Sequence, residues 1–229
     1  MELEFVRNIY LNTESAKKAS EQAQKHNISL SCHAPYYINL SSTKPGISFK
    51  SKSIIQHTLD IAEACKATII VIHAGYYMEQ PPQQTYNIIK SALQEFTSTV
   101  KLGIETMGRQ KQFGTLDEIT SLTEECENVA PVIDFAHIHA RTYGGIKTKD
   151  DFKKILDTFD NLNVNPIHCH MTGIKYENGN EKHHIPISSN EPDFRHLAAL
   201  INENNYNMTI ISESPLLEQD ALLFKSWLK

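Results

Sequence analysis

No stretch of this chain approaches the run of about 18 apolar residues that a membrane-spanning helix requires, so its 40% of hydrophobic residues points to a folded interior. The N-terminus, MELEFVRN, lacks the basic n-region and apolar h-region of a secretory signal, and a soluble, cytoplasmic protein is expected. None of the four cysteines, Cys32, Cys65, Cys126 and Cys169, stands in a CxxC pair, so buried free thiols are expected rather than disulfides. There is no repeat of fixed period, no low-complexity tract and no linker, which makes residues 1–229 a single domain in expectation. Positive charge is also short: 22 Lys and Arg against 27 Asp and Glu leave a formal charge of −5. Taken alone, that balance argues against a nucleic-acid partner. It counts for less where carboxylates hold divalent cations, because each ion adds two positive charges where a phosphate would sit.

What the chain does have is an alternation of apolar runs with amphipathic stretches. Strands are expected at Met1–Val6, Ile28–His33, Thr68–His73, Val100–Glu105, Ala130–Asp134, Val164–His170 and Met208–Glu213. Between and after them, helical spacing predicts Thr13–Lys25, Phe49–Lys66, Gln83–Ser98, Leu116–Cys126, Lys149–Phe159, Asp193–Asn204 and Leu217–Trp227. Seven strands alternating with seven helices mean a parallel sheet with helical crossovers.

Eleven histidines form the compositional signal, and several fall at the C-terminal ends of the expected strands. SLSCHAPYY places His33 there, IIVIHAGYY His73, VKLGIET Glu105, VIDFAHIHAR Asp134 and His137, NPIHCHMTG His168 and His170, and MTIISESP Glu213. One such residue is ordinarily a hydrogen-bonded rim group or a helix cap. Their joint occurrence points to metal, and in a parallel β/α barrel the strand C-termini converge on one face. The fold class expected is therefore a TIM-type parallel β/α barrel of seven strand–helix units. His170 is favoured over His168 as lying nearer the loop, while His26, His57, His139 and His196 are assigned to the surface or to a supporting layer. Imidazoles and carboxylates without thiolate suit zinc or manganese, and the number of ligands exceeds what one ion uses. The stretch NGNEKHHIPI adds Glu181, His183 and His184. Tyr36, Tyr37, Tyr76 and Tyr77 beside the ligands could stack on bases or pack under a loop.

The segments HAPYYINL, ETMGRQKQFGTLDEI, VIDFAHIHAR, HMTGIKYENGNEKHHIPI and SESP, in that order, resemble the endonuclease IV family of apurinic/apyrimidinic endonucleases, especially its archaeal-type members. The resemblance implies a xylose-isomerase-like TIM barrel with three zinc ions. It also implies a phosphoric diester hydrolase of base excision repair, cutting double-stranded DNA 5′ of an abasic site by attack of a metal-activated hydroxide. It assigns His33, His73 and a bridging Glu105 to the first zinc, Asp134, His170 and Glu213 to the second, and His137 with the segment Glu181–His184 to the third. A D-x-H spacing selects Glu181 with His183, and an E-x-x-H spacing selects His184. Glu105 is the ligand expected to help position the hydroxide, and Tyr36 and Arg7 are the expected DNA contacts. The protein would associate with the nucleoid when acting, without a membrane or an obligate protein partner. Family members place one strand and helix ahead of the MELEFV-like strand, so a barrel lacking its first unit is expected. Two alternatives are a divalent-metal sugar isomerase or epimerase of the same barrel group and an inactive truncated barrel; the first predicts more carboxylates than imidazoles and needs no third metal set.

Overall fold

The computed structural model describes residues 1–160, 162 and 164–229. Two compact units emerge, Met1–Glu105 with Ser121–Ala130, and Thr106–Thr120 with Pro131–Lys229. The first contains β1 (Glu2–Glu4), α1 (Thr13–Lys25), β2 (Ser31–His33), α2 (Pro45–Cys65), β3 (Ile69–Ile72), α3 (Pro82–Leu93) and β4 (Lys101–Glu105). Its strands pair in parallel, with Glu4 opposite His33, His33 opposite Val71, and Ile72 opposite Ile104. The run IIVI of β3 is buried at all four positions, as expected for a parallel strand covered on both faces. Helix α1 begins where its cap predicts. Asn12 Oδ1 accepts from the Ser15 N–H and Ser15 Oγ accepts from the Asn12 N–H, both at 2.9 Å, so two otherwise orphaned donors are satisfied. Helix α2 starts at Pro45 instead of Phe49, since proline suits the first helical position, whose N–H has no partner in any case.

Helix α4 (Leu116–Glu125) and strand β5 (Val129–Asp134) have residues in both units. The second unit continues with α5 (Phe135–Arg141), α6 (Lys149–Asp160), β6 (Ile167–Met171), β7 (Gly173–Glu177), β8 (Asn180–Ile185), a 3-10 turn (Ile187–Ser189), α7 (Arg195–Asn204), β9 (Met208–Ser212) and α8 (Glu218–Trp227). Asp134 of β5 lies opposite His170 of β6, and His170 opposite Ile211 of β9. Three buried rings anchor the core here: Phe135 stands 5.2 Å from Phe152 and 6.3 Å from Phe194, and those two are 5.8 Å apart. The sheet order is β1-β2-β3-β4-β5-β6-β9, the seven strands expected from sequence.

Two elements lie outside the ranges expected from sequence. The segment after Met171, where no strand or helix is expected before Asp193, is an antiparallel hairpin, β7–β8; its turn residues Asn178 and Gly179 both have positive φ, 50° and 70°, as a two-residue hairpin turn requires. An additional short helix, α5, follows β5 directly, because Asp134 both ends the strand and caps the helix, accepting from the His137 N–H at 2.8 Å. All four cysteines are free and buried. No helix among the described residues is long and apolar enough to cross a membrane.

Candidate metal centres

The first candidate ligand set gathers at the ends of β2, β3 and β4. His33 Nε2 and His73 Nε2 lie 3.2 Å and 2.7 Å from the same oxygen, Glu105 Oε2. His33 and Glu105 are buried, while His73 is partly open. Burial opposes charge on His33, but the hydrogen bond and negative charge of Glu105 outweigh it, with Glu4 and Glu2 adding, and its pKa rises to about 9. Glu105, Glu4 and Glu2 thus make the surroundings of this buried ring negative. Tyr36, 41% exposed, stacks on the His73 ring at 5.3 Å and 17° and meets the His33 ring edge-on at 5.0 Å. Its hydroxyl donates to Glu4 Oε2 at 3.3 Å. Gly75, with φ of 149°, lets the loop after β3 close on the loop after β2: a Cβ there would fall 2.7 Å from both Asn39 Oδ1 and Ser41 Oγ.

The second set is Asp134, His170 and Glu213, whose ligand atoms lie within 4.8 Å of one another. His170 Nδ1 is 3.3 Å from Glu213 Oε1. Asp134 is fully buried, and its Oδ2 accepts no hydrogen bond, a costly position for a carboxylate oxygen unless a cation takes it. His168 sits one layer lower on β6, its ring 5.7 Å from that of His170.

His137, Glu181 and His184 form the third set, again within 4.8 Å, with His137 Nε2 3.4 Å from Glu181 Oε2. A bulge decides the register. Tyr176 pairs with Glu181 and Lys175 with His183, so Lys182 is an extra residue that shifts the alternation by one. Glu181 and His184 therefore share the face that Ile174 and Tyr176 turn toward α5, and His183 is exposed. Of the alternatives left open by sequence, the structure brings together Glu181 and His184, and not His183.

Three of these imidazoles are held in the same way. Nδ1 of His33 donates to the Ala34 carbonyl at 2.8 Å, Nδ1 of His137 to the Thr106 carbonyl at 2.9 Å, and Nδ1 of His184 to the Glu213 carbonyl at 3.0 Å. In the neutral ring that fixes the tautomer with the lone pair on Nε2, the arrangement of a metal-ligating histidine with its supporting bond in place. Burial pushes the Cys169 thiol up, and a hydrogen bond with Cys65 together with burial does the same to Cys32, so these thiols stay protonated. A donor set of imidazole and carboxylate fits zinc or manganese.

Arg7 lies exposed in the turn after β1. His139 is not a surface residue: it is buried, its Nε2 donating to Glu191 Oε2 at 2.9 Å and its Nδ1 accepting from the Ile146 N–H at 3.2 Å. The loop from Thr106 to Gln112 is the part of the site that ligand-type reasoning missed, because it supplies carbonyls and a glycine in place of ligands.

The sequence model of the family described as xylose isomerase-like TIM barrel matches residues 1–227. The chain belongs to this family. Within it, the chain is 36% identical over 234 residues to an uncharacterized protein of Methanocaldococcus jannaschii, covering 97% of this chain and 84% of the relative. It is 29% identical over 223 residues to a probable endonuclease 4 of Staphylococcus carnosus, covering 92% of this chain and 74% of that protein. Among solved structures, a D-tagatose 3-epimerase-like protein superposes with a TM-score of 0.76 at 20% identity, covering 98% of this chain and 85% of that one. Likeness at that identity shows the barrel fold of the family alone.

Proposed function

We propose that residues 1–229 act as one β/α-barrel domain that uses zinc to cleave the DNA backbone 5′ of abasic sites. The observation that carries this reading is the third ligand set, His137, Glu181 and His184, which a one- or two-ion sugar isomerase does not need. The imidazole-rich donor set and the similarity to a probable endonuclease 4 support it. The ligands would be His33, His73 and Glu105; Asp134, His170 and Glu213; and His137, Glu181 and His184. Bound zinc supplies Lewis acidity, lowering the pKa of a water and offsetting charge on the departing oxygen.

The residues of the chain do the rest. Glu105 sets one carboxylate oxygen 3.2 Å and 2.7 Å from Nε2 of His33 and His73, which gathers three donor atoms at one point and keeps the pocket negative. The carbonyls of Ala34, Thr106 and Glu213 fix three imidazoles in one tautomer, so little reorganisation is left for the moment of reaction. Tyr36 presents an aromatic face at the mouth of the first set, where the gap left by a missing base offers a surface to stack on.

The test is a metal count with an activity assay on purified chain. Close to three zinc ions per chain and nicking of an abasic duplex, with an intact duplex spared, are the expected results. One ion, or manganese alone, with no nicking and interconversion of a ketose with its epimer, would replace this reading with the epimerase one that the superposition on a D-tagatose 3-epimerase-like protein suggests.

A further inference from the structure

The loop from Thr106 to Gln112 carries no ligand, yet it is among the most heavily tied segments beside the third set. Its Thr106 carbonyl accepts from His137 Nδ1, and its Gly108 carbonyl accepts from the Glu181 N–H at 2.9 Å. The Gln110 N–H donates to Asn180 Oδ1 at 3.0 Å, and Gln110 Nε2 donates to the carbonyls of Arg141 at 2.7 Å and Gly179 at 3.0 Å. From the last residue of α5, Arg141 Nη1 reaches the carbonyls of Arg109 at 2.6 Å and Gln112 at 2.9 Å. Residues 108, 109 and 110 are thus each pinned through the backbone. The side chain at the centre of this frame is Arg109, 41% exposed, with Nη2 3.7 Å from Glu181 Oε1.

That distance is long for an arginine whose task is to neutralise a carboxylate, since paired forks close to about 2.7–2.9 Å. A counterion for Glu181 would need no such frame; a flexible lysine on the surface would serve. A guanidinium carried half open beside this set on a loop whose backbone is pinned suits recognition of an oxyanion, because its fork matches two oxygens and the backbone that presents it is already ordered. A neutral sugar offers nothing that calls for it.

We propose that Arg109 reads phosphate at this site: its guanidinium donates to a non-bridging oxygen of the substrate phosphodiester, and Arg141 is the positioning residue that presents it. Naming DNA as the source of that phosphate rests on the function proposed above.

The experiment uses the full, zinc-loaded chain and an abasic duplex in which a methylene group replaces the scissile ester oxygen, so that charge is kept and cleavage is blocked. Binding is read by fluorescence anisotropy across a salt series. Arg109→Gln is expected to weaken binding about tenfold and to lower the slope of log Kd against log salt by about one, with zinc per chain unchanged. Arg109→Lys should restore the slope and only part of the affinity. Arg141→Lys should weaken binding in the wild-type background and add nothing to Arg109→Gln, a coupling that a merely structural arginine would not show. Unchanged affinity and slope in Arg109→Gln, loss of zinc from it, or additive effects of the two substitutions overturns the proposal. Failure of the parent reading looks different. A wild-type chain that binds inorganic phosphate through Arg109 but ignores the duplex keeps the role of the arginine and removes DNA as substrate. A chain indifferent to both probes overturns both.

Discussion

Gly108→Ala isolates the third ligand set with one methyl group. Gly108 lies outside the left-handed region, so alanine meets no backbone strain, only the space around it. An added Cβ would stand 2.7 Å from Glu181 Oε2, 2.9 Å from Glu181 Cβ and 2.9 Å from His137 Cδ2, where about 3.4 Å and beyond is ordinary contact. Neither neighbour can yield freely. Glu181 is tied through its N–H to the Gly108 carbonyl at 2.9 Å, and the His137 ring is tied to the Thr106 carbonyl at 2.9 Å. Overpacking of this kind costs about 1–3 kcal/mol, which for a chain of this length lowers Tm by about 2–4 °C per kcal/mol. The larger effect falls on metal: disturbing the support of two ligands at once should weaken the third ion about 10- to 100-fold. Competition against a chromophoric chelator, with elemental analysis, should find two tightly held zinc ions per chain in place of three. Three ions at unchanged affinity would refute the assignment of His137, Glu181 and His184 as a ligand set.

The remaining expectations concern the first set. Glu105→Gln should lower kcat on abasic DNA by about 100- to 1,000-fold while the circular dichroism spectrum is kept; near-normal turnover would remove Glu105 from the chemistry. In the metal-free chain the folded-state pKa of His33, about 9, lies above its unfolded value of about 6.5. Its contribution to stability is therefore full below about 6.5 and is lost as pH rises through about 9. Tm of the metal-free chain should fall across that window, and His33→Gln should flatten the slope; a Tm that rises there contradicts the assignment. Tyr36→Ala should raise KM for an abasic duplex more than for a small phosphodiester, since stacking on a base is worth about 1–3 kcal/mol and the small substrate offers no base. Equal changes for both would make Tyr36 a packing residue of the His33 and His73 rings.

Where the sequence was legible, a local rule sufficed. Helix α1 runs Thr13–Lys25 as its cap predicts, and six of the seven parallel strands, all but β1, end at or beside a ligand-type residue. The first set follows from three such ends. The hairpin β7–β8 does not stand out because KYENGNEKHH is polar throughout, yet Asn178-Gly179 between two short alternating stretches is a strong hairpin signal. Helix α5 was hidden by economy, Asp134 serving as strand end and helix cap together. The roles of Thr106, Gly108 and Arg141 could not be read at all. They act through backbone carbonyls and through a contact that exists only once the loop and the hairpin are folded, and no residue type announces either.

The choice between His183 and His184 shows how spacing and geometry part company. Counting residues, Glu181 and His183 share one face of a strand, so a D-x-H pattern would select His183. The bulge at Lys182 moves the alternation by one, so that Glu181 and His184 share a face, while Ile174 still pairs with His184, Lys175 with His183 and Tyr176 with Glu181. Deleting Lys182 should therefore leave every other cross-strand pair intact and convert E-x-x-H into E-x-H on the same face. The deletion removes the contact of Lys182 Nζ with Glu177 Oε2 at 3.0 Å, which is exposed and is expected to contribute little. The shortened chain should retain three zinc ions, as should His183→Ala, whereas His184→Ala should lose the third. Metal counts on the three variants check this directly. If the Lys182 deletion behaves like His184→Ala, the bulge does more than count residues, and it must be aiming Glu181 itself; if His183→Ala loses the ion, the E-x-x-H register is wrong.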